Sequence, residues 1–119
     1  LLIDMDTLSQ GDPVFEFASI YNAFIGFYDM DKDDAVAFQG LPFETLESIW
    51  KKMLPLYFGT SDPTSLKAIE NKAAIIGYSR LMRRLIRRKG LESEQGRKVI
   101  EHYKNQIETR LDSVDTLRF

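Results

Sequence analysis

The 119-residue chain contains no cysteine, which excludes a disulfide framework and any thiolate metal site and is compatible with a reducing cytoplasm. It has a single histidine, so neither a histidine-rich metal site nor a histidine-paired catalytic triad can be built from this chain. It lacks the ~20 consecutive uncharged apolar residues of a membrane span, and no basic region precedes an apolar run as in a secretion signal. It also lacks an excess of positive charge. The net charge of -2 predicts no bulk attraction to nucleic acid or to an anionic membrane, so any such binding has to come from a local patch. Hydrophobic residues at 44% and charged residues at 29% are enough for one domain with one core, residues 1–119.

Leu1 to Met5 is a short apolar run ending in acid, the pattern of a buried strand that delivers side chains at its C-terminal end. A chain that opens inside a buried strand implies a boundary or a cut at that point. Thr7 to Gly11 reads as a loop. Asp12-Pro13 then predicts a helix start, with Asp12 as cap and Pro13 at the first helical position, where its missing N–H costs nothing. That helix extends to about Tyr28. It is apolar over most of its circumference, with only Glu16, Ser19, Asn22 and Gly26 as a polar or small stripe, and this predicts burial at the centre of a domain.

Residues 29–40 read as an acidic, solvated loop. Although Asp29 to Asp34 has the density of a calcium loop, Asp34 and Gly40 stand where such a loop needs Gly and Glu. Phe43 to Leu54 predicts a second helix, kinked or ended by Pro55 and closed by Gly59. Asp62-Pro63 caps a third, expected over 63–89 and stopped by Gly90. A fourth starts near Ser93 and places Val99, Ile100, Tyr103, Ile107 and Leu111 on one face; residues from Ser113 onward are expected to fray. The predicted fold is therefore mainly α, one strand and turn (1–12) followed by a helical part (13–119) with four helices.

Chemistry concentrates at the beginning. Asp4 and Asp6 offer carboxylates at the mouth of a strand, and a glycine turn and a capped apolar helix come next. Hard oxygen donors on a rigid strand end suit Mg²⁺, which binds through one or two carboxylates plus phosphate oxygens. Ile3-Asp4, Met5, Asp6, Gly11-Asp12-Pro13 and Glu16-Phe17-Ala18 resemble the aminoglycoside phosphotransferase and choline kinase-like family over residues 2–18. By that resemblance the chain is the C-lobe portion of a protein kinase-like fold. Asp4, with Asp6 as a further candidate, would then hold Mg²⁺ against the phosphates of ATP or GTP. Gly11, Asp12, Pro13 and Glu16 would form the structural motif behind it, Glu16 standing where the family usually has Asp. The family's catalytic loop belongs upstream of Leu1, so the resemblance implies the C-terminal part of a small-molecule kinase that is inactive alone. The alternative is a non-catalytic helical module that binds a partner or self-associates through its apolar surface.

Three further features read as structural. In the run Arg80, Arg83, Arg84, Arg87, Arg88 and Lys89, the five arginines fall on one face of the third helix. They are expected to form a solvated face paired with Glu92, Glu94, Glu101 and Glu108 rather than a nucleic-acid site, because no aromatic residue interleaves them. His102, beside the apolar stripe, reads as a surface histidine, and Trp50 as core.

Overall fold

The computed structural model describes residues 13–117 and Phe119. The predicted strand, Asp4, Asp6, Gly11 and the Asp12 cap lie outside the described residues. Among the described residues the secondary structure is entirely helical: α1 (Val14–Tyr21), α2 (Asp33–Gln39), α3 (Phe43–Phe58), α4 (Pro63–Arg87) and α5 (Glu94–Leu111). The mainly-α expectation holds.

Pro13 precedes α1 in helical conformation, and its carbonyl accepts the first bond from the Phe17 amide. One face of α1 is buried through Val14, Phe17, Ala18 and Tyr21. The helix is less enclosed than its apolar circumference predicts: Phe15 is 49% exposed, and Glu16 is at the surface. It runs on as a π-helical turn, Asn22–Gly26, in which the Phe27 amide bonds back to the Asn22 carbonyl. Such a turn widens the helix by one residue and re-aims the side chains beyond it.

The acidic stretch contains a helix that its composition hides. Asp33 and Asp34 occupy the first turn of α2, where carboxylates face the positive end of the helix dipole. Asp31 accepts a bond from the Asp33 amide, Ala35 is fully buried, and Gly40 (φ 74°) ends the helix in the left-handed region. Pro55 does not stop α3, which continues to Phe58. The carbonyl that its missing N–H leaves free belongs to the exposed Lys51. Gly59 closes the helix at φ 66°, as expected.

The α4 start matches the sequence closely: the Asp62 carboxylate accepts from the Ser65 amide, with Pro63 at the first position. Its end does not. The left-handed residue is Lys89 (φ 64°), while Gly90 opens a short 3₁₀ turn and is needed for space. A Cβ there would lie 2.6 Å from Leu85 Cγ and 2.8 Å from the Leu85 carbonyl oxygen. Ser93 caps α5 through the Gly96 amide.

The core is formed by α1 and its π turn packed on α3 and α4, with α5 closing over α4. Trp50, Tyr78, Leu46 and Val14 are the largest fully buried side chains. The α1–α4 crossing is tight because Gly77 faces Asn22 and Ala18. The Asn22 amide donates to the Gly77 carbonyl at 3.0 Å, and a Cβ on Gly77 would stand 2.6 Å from Asn22 Oδ1. The C-terminal residues return to the core instead of fraying freely. Phe119 packs edge-on against Phe17 and Phe58, and Ser113 accepts a bond from Asn71.

Candidate functional site

Tyr28 lies just beyond the π turn and is buried, and Asp29 comes next, with its side chain only 16% exposed. Asp29 therefore points inward, although it begins a run of acids that otherwise faces solvent. Its Oδ2 accepts from the Tyr78 hydroxyl of α4 at 2.5 Å and lies 3.0 Å from His102 Nε2 of α5. Because Tyr78 donates to the carboxylate, the Tyr21 hydroxyl, 3.2 Å away, donates to Tyr78. The result is a directed chain of hydrogen bonds, Tyr21 to Tyr78 to Asp29, with His102 on the far side of the carboxylate. Arg110 covers the Tyr78 ring at 5.6 Å.

Burial, the repulsion that a Tyr21 phenolate would exert and the bond to Asp29 push the Tyr78 phenol far above its ordinary range. Burial also raises Tyr21, partly offset by its bond to Tyr78, and it raises Tyr103. These phenols are neutral donors at any physiological pH.

The network forms the floor of a cleft of about 440 Å³ between the end of α1, the first half of α3, and α4 and α5. Its rim carries Glu47, Glu70, Lys51 and Lys67. Glu70 is tied down twice, accepting from the buried Trp50 indole at 2.9 Å and from Lys67 at 3.3 Å. Trp50 is thus core, as expected, with its one polar atom reaching the cleft. A carboxylate-oriented imidazole beside fixed phenols can bind a hydroxyl and hold or move its proton. The mixed rim suits a polar ligand carrying both donor and acceptor groups.

Of the sequence-predicted site residues, Pro13 and Glu16 are described, and they lie on the exposed start of α1, away from this cleft. Among the described residues no group of three or more histidine or acidic side chains could hold a metal, and Asp4 and Asp6 lie outside them. His102 is not a surface residue: its side chain is 25% exposed and engaged with Asp29. The helical row His102, Gln106, Arg110, spaced by four, was the available signal, since all three face the cleft. Asp29 carried no such signal, because in sequence it is one more acid at the head of an acidic run.

The expected pairing of α4 arginines with α5 acids does not form among the described residues. Glu94 and Glu108 instead lie within reach of Lys98 and Lys104 one turn away on α5 itself. No helix among the described residues is long and apolar enough to cross a membrane. Comparison with protein-family models, curated proteins and solved structures finds no match.

Proposed function

We propose that the chain supplies the metal-binding strand and helical lobe of a kinase-like phosphotransferase, which moves the γ-phosphoryl of ATP or GTP to a hydroxyl of a small molecule in the cytoplasm. The observation that carries this reading is the order Ile3-Asp4, Asp6, Gly11-Asp12-Pro13 leading directly into a helix whose Phe17, Ala18 and Tyr21 lie in the core. In this reading Asp4 would hold Mg²⁺, with Asp6 beside it, and the Asp29–His102 cleft receives the acceptor. Its carboxylates and phenols match a hydroxyl-rich ligand.

Phosphoryl transfer depends on positioning and on charge stabilisation from several groups at once. Residues 1–119 hold no catalytic loop, so the purified chain is expected to show no ATP turnover with any acceptor, and measurable turnover would overturn the reading. The codons upstream of Leu1 provide the decisive test. A His-Gly-Asp with an Asn within the next few residues is expected, and Asp4→Asn in that longer product should lower Mg²⁺-dependent phosphotransfer at least ~100-fold. A start codon in place of that loop would sink the proposal.

A second reading, a helical module that self-associates or binds a partner protein, is favoured by one observation. Leu56 (85%), Phe38 (77%) and Tyr57 (63%) are strongly exposed for apolar side chains. Under this reading Asp4→Asn leaves assembly unchanged.

A further inference from the structure

We propose that the basic face of α4, together with Phe15 and Phe27, is a binding surface for single-stranded nucleic acid. Five of the chain's eight arginines, at positions 80, 83, 84, 87 and 88, line one shallow groove of about 530 Å³, and no other residue type lines it. Among the described residues none of the five has a carboxylate partner. Like charges gathered this closely repel, and an anion relieves that repulsion.

Arginine rather than lysine points to phosphate, because the planar guanidinium fork binds its oxygens bidentately. The fork of Arg80 is already held in place: it donates to the Phe15 carbonyl at 3.0 Å and to the Ser19 hydroxyl at 2.8 Å. Arg83, Arg84, Arg87 and Arg88 therefore remain for a ligand. Along the helix they span about 8 Å, at 1.5 Å per residue.

Aromatic rings absent from the arginine run itself are brought to this face by α1 and the end of its π turn. Phe15 lies under Arg80 at 5.6 Å and Phe27 under Arg84 at 6.0 Å, yet they remain 49% and 44% exposed. Beyond Arg84 and Arg88 the groove opens into a cavity of about 770 Å³, where Phe27 and Tyr103 form part of the wall. A row of arginines beside half-open rings is the combination that tracks a phosphate backbone while unpaired bases stack. A duplex, whose base faces are already stacked, can use only the arginines. The surface stands apart from the Asp29 cleft and does not depend on the phosphotransferase reading.

The test is fluorescence anisotropy of a labelled 12-nucleotide oligothymidylate titrated with the full chain between 50 and 200 mM salt. Four arginines neutralising four phosphates predict a log–log salt slope of about -3. Combining Arg83→Ala, Arg84→Ala and Arg87→Ala should weaken binding at least ~100-fold. Phe27→Ala should weaken it by about 10-fold, while binding of inorganic polyphosphate of equal charge stays unchanged. Circular dichroism of the variants, all at exposed positions, confirms that they fold. Absence of binding at 50 mM salt would overturn the proposal. So would equal affinity for polyphosphate, a polyglutamate peptide or a matched duplex, combined with no effect of Phe27→Ala.

Discussion

A phenol held between a carboxylate and a second phenol has little room to ionise, and Tyr78 is in that position. With Tyr21 and Tyr103 it keeps its proton in the folded chain beyond pH 10.0, the ordinary phenol value at which an unfolded chain releases it. The contribution of these groups to stability is therefore fully present below about pH 10 and lost as the pH rises above it. In an alkaline titration monitored by phenolate absorbance and circular dichroism, these three phenols should ionise together with loss of helix. Ionisation of all the tyrosines with the helices intact would contradict it. Tyr78→Phe removes the donor to Asp29 and the acceptor for Tyr21. We expect a loss of about 1–3 kcal/mol in urea unfolding at pH 7, since two buried bonds are broken while His102 still serves the carboxylate.

Between elements, the closest approach is where α1 and its π turn cross α4. Gly77→Ala puts a methyl against the Asn22 side chain and the Ala18 carbonyl, whose oxygen is 3.3 Å from that Cβ position, and should cost about 1–3 kcal/mol. Asn22→Ala in the same chain should recover part of this loss, a coupling that a double-mutant cycle reads directly. At the α5 start, Ser93→Ala removes the acceptor of the Gly96 amide and should cost about 1 kcal/mol in the same assay.

The helices that were legible in sequence are those with strong local punctuation: Asp62-Pro63 before α4, Ser93 before α5 and Gly59 after α3. The helix that was not, α2, is seven residues long and opens with two acids, so its single buried residue, Ala35, leaves no periodicity to read. Gly90 misled for another reason. A glycine after a helix suggests a left-handed cap, but here Lys89 takes that conformation and Gly90 is required by the Leu85 side chain.

Across the whole molecule, charge and apolar surface are unevenly distributed even though the net charge is only -2. The arginines collect along α4, while Phe38, Leu56 and Tyr57 are exposed on α2 and α3. If the second reading holds, sedimentation velocity should show concentration-dependent association that Leu56→Lys and Phe38→Lys together abolish. A monomer at every concentration would leave those side chains without a second copy to cover them. The candidate site was the least legible feature for a reason of scale. Asp29 and His102 are 73 positions apart, and Tyr78 stands between them in the chain as an aromatic on an otherwise apolar stretch. Only the packing of α5 on α4, and the turn that swings Asp29 inward, bring the three together. Local pattern cannot register such a meeting.

Trp50 is the chain's one tryptophan, its ring fully buried and its indole N–H bonded to a carboxylate on the cleft rim. The protein thus carries its own optical gauge. Emission from a single indole reports on Glu70, so a molecule entering the cleft should change its colour or brightness without any label. Strands of nucleic acid on the arginine face of α4, whose groove Trp50 and Glu70 do not line, should leave that light unaltered. One spectrum can therefore tell which of the two surfaces has been occupied.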